Sequence, residues 1–459
     1  MEESHMKYAI ILAAGMGTRM LSKENKVMHA ILNKPMIGHV VDNLEETTID
    51  KTVVVTGYKR ESIQAYLKDR VEYAIQDEQK GTADAVMQVK QLENEKGSTL
   101  IIYGDGALIQ KETLVKIFDA HCDHDLTIAS ATVKDPGRYS RVIRDTQGNV
   151  KRIVEARHAT ELEQTSNEIN LGVYCFNNEL LFHYLKQLEN DTQNELNIID
   201  LVYMMRQDGR DIQTIKIDEP REFMGINDRV ELADANLWMR NKINRRHLEN
   251  GVTILDPNNT FIGPDVIIEK DVIIQPNTHI YGKSVIKTGS IISPNSWIEN
   301  SEIGENTTIL SSRITDSIIG HDTNIGPNAH LRMHTEIGNH VRIGNFVEMK
   351  HTKVGDHSAS AHLTYLGDSE VGKYVNIGCG VVTINYDGKN KHKTVIGDHT
   401  FVGSQSGLVA PVNIGENVVI AAGSLITEDV NDSDLAIARS RQTNKEGYGK
   451  SYLEEKGKI

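Results

Sequence analysis

The sequence predicts an α/β fold followed by an all-β fold, and three observations carry that prediction. Residues 1–227 alternate short β-rich runs with helical patterns. That alternation implies a mostly parallel sheet covered by helices on both faces. Residues 228–250, DRVELADANLWMRNKINRRHLEN, lack Gly and Pro and are rich in charge. They read as one linker helix that Gly251 can stop. From residue 251 to residue 459 the dominant signal is an aliphatic residue every sixth position. Neither a helix nor an ordinary strand has that period. It is the period of a parallel β-helix.

In the first part the candidate strands are KYAIILAAG, KTVVVTG, STLIIYGD, DLTIASATV and LGVYCFN. Helical patterns such as IGHVVDNLEE and TADAVMQVKQLENE lie between them. Ligands of such sheets bind at the carboxyl ends of the strands, where the glycine turn of ILAAGMGTRM falls.

In the last part Ile262, Ile268, Ile274, Ile280, Ile286, Ile292 and Ile298 keep one phase. The phase slips, then resumes at Ile319, Ile325, Leu331, Ile337, Ile343 and Met349, and again at Ile396, Val402, Leu408, Ile414, Ile420 and Ile426. Three hexapeptides make one triangular coil with the aliphatic residue inward, and coils stack about 4.8 Å apart. Gly, Asn and Asp in IGPD, IGEN and IGNH suit the tight corners. The repeat breaks at GCGVVTINYDGKNKHKTV, residues 378–395. A polar insertion in a solenoid is a loop on one face, often the binding face.

Composition narrows the function. At 459 residues the chain suggests two or three domains. Aromatics are only 5%, so the cores must be mainly aliphatic. A net charge of −14 argues against a nucleic-acid surface. Cys122, Cys175 and Cys379 have no metal-binding spacing and read as reduced cytosolic thiols. The opening MEESHMKYAI lacks an apolar signal region, and no apolar run is long enough to span a membrane. A cytoplasmic protein without membrane partners is expected.

Two groups of residues carry candidate chemistry. The turn around residues 15–17 is neither a dinucleotide fingerprint nor a Walker loop. Gly15 and Gly17 let backbone amides approach an anion, and Arg19 can grip phosphate oxygens. Lys26 follows shortly. Gln76 and Gln79 offer hydrogen bonds to a base edge, and Gly81-Thr82 opens a helix. Asp105 ends a strand and Asn227 precedes the linker helix. One carboxylate and one amide oxygen, with phosphate oxygens and water, suit Mg²⁺. Singly, each is an ordinary turn residue; together they suggest a phosphate pocket. In the repeat region His362, Tyr365, Lys350 and Arg332 lie within two coils, although a lone His among 18 is more often a turn residue.

On LAAGMGTRM, KV, EQKGTADA, YGD and EIN, and on NFVEMK, HLTYLGD, NYDG and QTNKEGY, the chain resembles a known family. This is the bifunctional N-acetylglucosamine-1-phosphate uridyltransferase / glucosamine-1-phosphate N-acetyltransferase family. The resemblance runs from residue 7 to about residue 448. It implies a Rossmann-like nucleotidyltransferase domain, a linker helix and a left-handed parallel β-helix. It also implies two reactions. Glucosamine-1-phosphate is acetylated from acetyl-CoA, and the N-acetylglucosamine-1-phosphate formed is uridylylated from UTP with Mg²⁺, releasing pyrophosphate. The product, UDP-N-acetylglucosamine, feeds cell-wall synthesis.

By the resemblance Arg19 and Lys26 hold the UTP phosphates. Leu12, Ala13, Ala14, Gly15, Gln76, Gln79, Gly81, Thr82 and Tyr103 belong to the nucleotide and sugar pocket. Ser140, Glu155, Asn170 and Asn227 belong there too, and Asp105 with Asn227 holds Mg²⁺. His362 is the general base of acetyl transfer. Arg332, Lys350 and Tyr365 bind the sugar phosphate, and Asn376, Asn385 and Tyr386 complete that pocket. Ser404, Ala422 and Arg439 meet acetyl-CoA. A homotrimer is implied, with acetyl sites between neighbouring columns.

The sequence departs from the family at several points. Met16 stands for a Lys, Gly106-Ala107 for a stiff turn, and Ser140 for a Gly. Residues 194–197, NELN, replace G-E-Y-Y, and Met333-His334 replaces Pro-Gly. These keep a second reading open, an acetyltransferase whose nucleotidyltransferase domain is weak or silent. A scaffold without activity is a third, against which the joint presence of Arg19, Lys26, Asp105 and Asn227 argues.

Overall fold

The computed structural model describes residues 5–122, 124–188 and 195–459. Internal contacts divide the chain into Met1–Met239 and Arg240–Ile459.

In the first unit the main sheet runs Ile212–Lys216, Leu126–Thr132, Glu168–Asn177, Ser98–Tyr103, Lys7–Ala13, Lys51–Thr56, Glu72–Ile75. Lys7–Ala13 is parallel to both its neighbours, whereas Glu168–Asn177 is antiparallel to both of its own. The period of two along Lys7–Ala13 explains its unbroken apolar run. Tyr8, Ile10 and Leu12 enter one core, and Ala9, Ile11 and Ala13 enter the other on the opposite face.

One expected helix is shorter than its pattern. TADAVMQVKQLENE gives an α-helix only over Thr82–Met87, followed by a 3-10 turn at Lys90–Leu92. Val89 and Leu92 are both fully buried. The Leu92 carbonyl accepts from the buried Asn178 amide at 2.7 Å. Tertiary packing therefore overrides the helical propensity of the segment.

The helix Arg229–Glu249 spans the division between the units. Its N-terminus is capped by Asp228, whose Oδ1 accepts from Val230 and Glu231 N–H at 2.9 Å. The division falls between Met239 and Arg240, inside this helix rather than at its ends, because each half bonds to a different unit. Asn236 Oδ1 accepts from Leu32 N–H at 3.0 Å, while Asn244 Nδ2 donates to the Pro257 and Thr260 carbonyls at 2.9 Å.

The second unit is a stack of triangular coils whose named strands all pair in parallel. The repeated aliphatics from Ile262 to Ile426 are buried. The slip in phase has a simple cause. Ile303, Ile309 and Ile314, also buried, continue the inward column at spacings of five or six residues. Register partners are then 17 residues apart at Ile286↔Ile303, 16 at Ile303↔Ile319 and 18 at Ile319↔Ile337. A corner can lose a residue while the inward column stays aligned.

The insertion is also narrower than the break in the pattern. Val382–Ile384 is a strand paired with Gly407–Val409, so the solenoid continues through Thr383. Val371 and its partner Ile396 are 25 residues apart, and the excess lies beyond Ile384. There Tyr386 and Lys391 form an antiparallel bridge. Emptying the column should be costly. Ile292→Ala, at a fully buried position, is expected to lose about 2–5 kcal/mol, read as a lower denaturant midpoint for the β-helix.

Candidate active sites

At the carboxyl end of the first sheet a cavity of about 250 Å³ is lined by Leu12, Ala13, Ala14 and Gly15, by Gln76, Gln79, Gly81 and Thr82, and by Lys26, Tyr103 and Asp105. All were singled out from sequence. Val27, Ala85 and Glu195 also line it.

Two glycines are required by geometry. Gly17 has φ +59°, and a Cβ there would lie 2.5 Å from Lys26 Cβ. Gly81 has φ +124°, and its Cβ would lie 2.2 Å from the Leu196 carbonyl oxygen. Gly81→Ala therefore forces the pocket wall apart. It is expected to cost about 1–3 kcal/mol, measurable as a lowered melting temperature together with a raised KM for UTP. At Gly15 a Cβ would meet nothing within 4 Å, so this turn leaves free room beside the backbone.

The centre of the cleft is electrostatic. The Lys26 ammonium bonds to the Asp105 carboxylate and, at 2.6 Å, to Asn227 Oδ1. Asn227 Nδ2 donates to the Gly225 carbonyl at 2.9 Å, which turns its oxygen toward Lys26. Burial, then the charges of Asp105 and Glu155, push the Tyr103 phenol up to about 12. On the base side, Gln76 Nε2 donates to Asp84 at 2.6 Å and to the Gly81 carbonyl at 3.1 Å. Its amide oxygen is thereby left as the acceptor. Gln79 Nε2 donates to the Ala14 carbonyl at 2.8 Å and ties the base side to the glycine turn.

Other predicted residues stand outside the cleft lining. Arg19 is exposed on the 3-10 turn Thr18–Met20. Ser140 and Asn170 are neighbours, with Asn170 N–H donating to the Ser140 carbonyl at 2.8 Å. The Asn170 side chain is held by Tyr174 and by Gly172 N–H. Glu155 lines an adjoining cavity of about 540 Å³ that shares Glu195 with the first. Its carboxylate pairs with Arg157 at 2.6 Å. Arg141, which the sequence reading missed, donates to the Pro136 and Gly137 carbonyls at 3.3 and 3.0 Å and so shapes the turn before Ser140. Asn194 of the NELN stretch lies outside the described residues.

In the second unit the residues expected for acetyl transfer fall into two groups. The first is a cationic patch. Arg332 and Lys350 are register partners, and so are Lys350 and Gly367. A Cβ at Gly367 would lie 2.4 Å from the Tyr365 hydroxyl and 2.7 Å from Asn385 Nδ2, so those two groups converge above it. Asn385 Nδ2 donates to Asp368 at 2.5 Å, and Arg332 pairs with Glu348 at 2.6 Å. Lys350 is buried. A hydrogen bond to Lys391, then burial, holds its ammonium below the ordinary lysine value, against the pull of Asp368. Lys391 was not singled out from sequence. The only signal for it was that it lies in the polar insertion. Tyr386 bridges to Lys391, and its hydroxyl donates to the Gly388 carbonyl at 2.7 Å.

The second group is a corner column. Ser360, Ile377, Val402 and Ile420 are successive register partners. Two residues beyond each lie His362, Cys379, Ser404 and Ala422, stacked along one edge. Arg439 Nη1 donates to the Ala422 carbonyl at 2.8 Å. His362 and Ser404 are thus two coils apart, about 10 Å. Asn376 lies on the adjoining face, between Ala359 and Phe401. A cavity of about 530 Å³ in this unit lies on another face, along Glu336, Lys353 and Glu370, and holds none of these residues.

The nucleotidyl transferase family profile matches residues 8–238. Bacterial transferase hexapeptide repeats match residues 316–351, and the hexapeptide repeat of succinyl-transferase matches 393–428. Among curated relatives, the bifunctional protein GlmU of Shouchella clausii is 45% identical over 97% of this chain and 99% of its own length. Those of Bacillus licheniformis and Bacillus subtilis are 47% and 46% identical, each over 97% of this chain and 98% of the relative.

Proposed function

The chain belongs to the bifunctional GlmU family of acetyltransferase–uridylyltransferases, and we propose from that premise how its residues divide the two reactions. Glucosamine-1-phosphate is first N-acetylated from acetyl-CoA on the β-helix. The resulting N-acetylglucosamine-1-phosphate is uridylylated from UTP in the first unit. The observation that carries the assignment is the convergence of Asp105, Asn227 and Lys26 at the glycine-lined cleft.

In the uridylyl reaction a phosphate oxygen of the sugar attacks the α-phosphorus of UTP, and the bond to pyrophosphate breaks. Asp105 and Asn227 would hold Mg²⁺. Their oxygens already meet at one cationic group, and an all-oxygen donor set suits that ion. When bound, Mg²⁺ supplies charge neutralisation on the phosphate oxygens. Lys26 and the rim residue Arg19 neutralise the remaining charge, and Gly15 lets the backbone lie against the phosphates. Gln76 and Gln79 orient the uracil, and Glu155, Ser140 and Asn170 line the approach of the amino sugar. Catalysis is by positioning and charge. The silent-domain alternative is disfavoured, since Met16, Gly106 and Ala107 leave the Lys26–Asp105–Asn227 engagement intact.

In acetyl transfer His362 takes a proton from the attacking amine. The nitrogen bonds to the thioester carbonyl, the C–S bond breaks, and CoA leaves as the thiol after regaining a proton. Arg332, Lys350 and Lys391 attract the sugar phosphate, with Tyr365, Asn376, Asn385 and Tyr386 around it. Ser404, Ala422 and Arg439 lie along the acetyl-CoA path beside His362. Lys391→Gln is expected to raise KM for glucosamine-1-phosphate about tenfold, the weight of one charged hydrogen bond. Because the Lys350 ammonium sits below its ordinary value, its charge is lost earlier as pH rises. KM should therefore climb at a lower pH in the wild type than in Lys391→Gln.

A homotrimer fits the second unit. Phe346, Leu363, Val382, Phe401, Val419 and Leu425 are exposed on the coils between residues 346 and 425, which include that of His362, and exposed apolar side chains of this kind suit an interaction surface. No described helix is long and apolar enough to cross a membrane. Both the substrates and the reduced thiols suit the cytoplasm. The test supplies purified protein with acetyl-CoA, glucosamine-1-phosphate, UTP and Mg²⁺ and follows CoA and pyrophosphate separately. Release of CoA without pyrophosphate would leave only the acetyltransferase half.

A further inference from the structure

One corner of the β-helix repeats a left-handed backbone position on successive coils. Asp322, His340, His357, Tyr374 and His399 occupy it, with φ of 53°, 57°, 61°, 56° and 58°. The residues three positions earlier, Ile319, Ile337, Val354, Val371 and Ile396, are successive register partners. The side chains therefore form a vertical column. The coil spacing is also a ring-stacking distance. His340 and His357 stack at 4.8 Å, His357 and Tyr374 at 4.7 Å, and Tyr374 and His399 at 4.9 Å, all within 9° of parallel.

At its upper end the stack changes character. Above His340 the column holds a carboxylate, Asp322, and beside it stands His321. The His321 ring is edge-on to His340, with centroids 5.1 Å apart and planes at 87°. His321 Nδ1 lies 2.7 Å from Asp322 Oδ2. One nitrogen from each imidazole and one carboxylate oxygen lie within 4.8 Å of one another. The backbone beneath them is fixed. His340 N–H donates to the His321 carbonyl at 3.0 Å, and Asp322 N–H to the Glu305 carbonyl at 2.9 Å. His321 N–H donates to Asn339 Oδ1 at 3.0 Å. All three side chains are open to solvent.

We propose that His321, Asp322 and His340 form a site for a divalent transition ion of the Zn²⁺, Ni²⁺ or Co²⁺ class, clamping two neighbouring coils. Two imidazoles and a carboxylate are the donor set that borderline ions prefer. Mg²⁺ favours all-oxygen ligands, so it would not compete. The site is separate from the residues assigned to either reaction. His357 stacks on the His340 ring from the neighbouring coil. An ion that bridges coils of the folded state raises the melting temperature.

The test titrates the full-length protein with Co²⁺, reading visible absorption and heat, with Mg²⁺ present in excess. One Co²⁺ per chain is expected, bound at least about tenfold less tightly by His340→Asn and Asp322→Asn. Asn already occupies the equivalent corners at Asn306 and Asn417 with φ of 52° and 56°, so both variants keep the turn. Circular dichroism and CoA release check their folding. His321→Ala, away from the left-handed position, gives an independent comparison and should lose affinity equally. Unchanged Co²⁺ affinity in all three variants, or no Co²⁺ binding by the wild type, overturns the proposal.

Discussion

Asp105→Ala is expected to lower pyrophosphate release by at least about 10²–10³-fold while CoA release proceeds at the wild-type rate. The side chain does two jobs that alanine cannot do. It balances the Lys26 ammonium, and with Asn227 it presents the oxygens that converge at the cleft. Without it Lys26 loses its charged partner and keeps only the neutral Asn227. The fold should survive, because Asp105 follows the end of the strand Ser98–Tyr103 and contributes nothing to its ladder. Asp105→Asn separates charge from shape. It keeps a hydrogen-bonding oxygen and loses the negative charge, so a defect as deep as that of alanine assigns the effect to charge. Loss of both product signals would contradict the independence of the two sites.

The opposite pattern is expected of His362→Ala. CoA release should fall about 10²–10⁴-fold, the usual weight of a general base, with pyrophosphate formation from supplied N-acetylglucosamine-1-phosphate unchanged. His362 lies at an exposed position of the strand Ala359–Gly367, between the buried Ser360 and Thr364. Its removal opens no cavity in the column. The loss should appear in kcat, because the phosphate-binding patch of Arg332, Lys350 and Lys391 is left whole. A tenfold rise in KM with kcat intact would reassign His362 to binding.

Much of this was legible from the sequence because coil stacking imposes a strict rule on it. Apart from positions such as Ser360 and Thr383, the inward positions of the β-helix are aliphatic, so Ile262 to Ile298 declares the fold by itself. The first cleft was legible for a similar reason. Most of its wall comes from three contiguous stretches, residues 12–15, 76–82 and 103–105, each ending or following a strand. What escaped notice depends on contacts across the chain. Lys391 reaches Lys350 only because the insertion folds back through the Tyr386–Lys391 bridge. Glu195 enters the cleft because the chain beside Leu196 presses on Gly81. The helical pattern after Met87 overshot because Val89 and Leu92 are claimed by the core. Ile303, Ile309 and Ile314 looked like a lapse in rhythm until the shortened corners accounted for them.

The insertion after Ile384 adds length to one coil, yet Ile396 returns to the place that Val371 prescribes for it. The spine therefore behaves like a spiral staircase whose landings can be enlarged without moving a step. New chemistry can be fitted at one edge of a single storey, as Asn385, Tyr386 and Lys391 illustrate, while the storeys above and below keep their own carpentry.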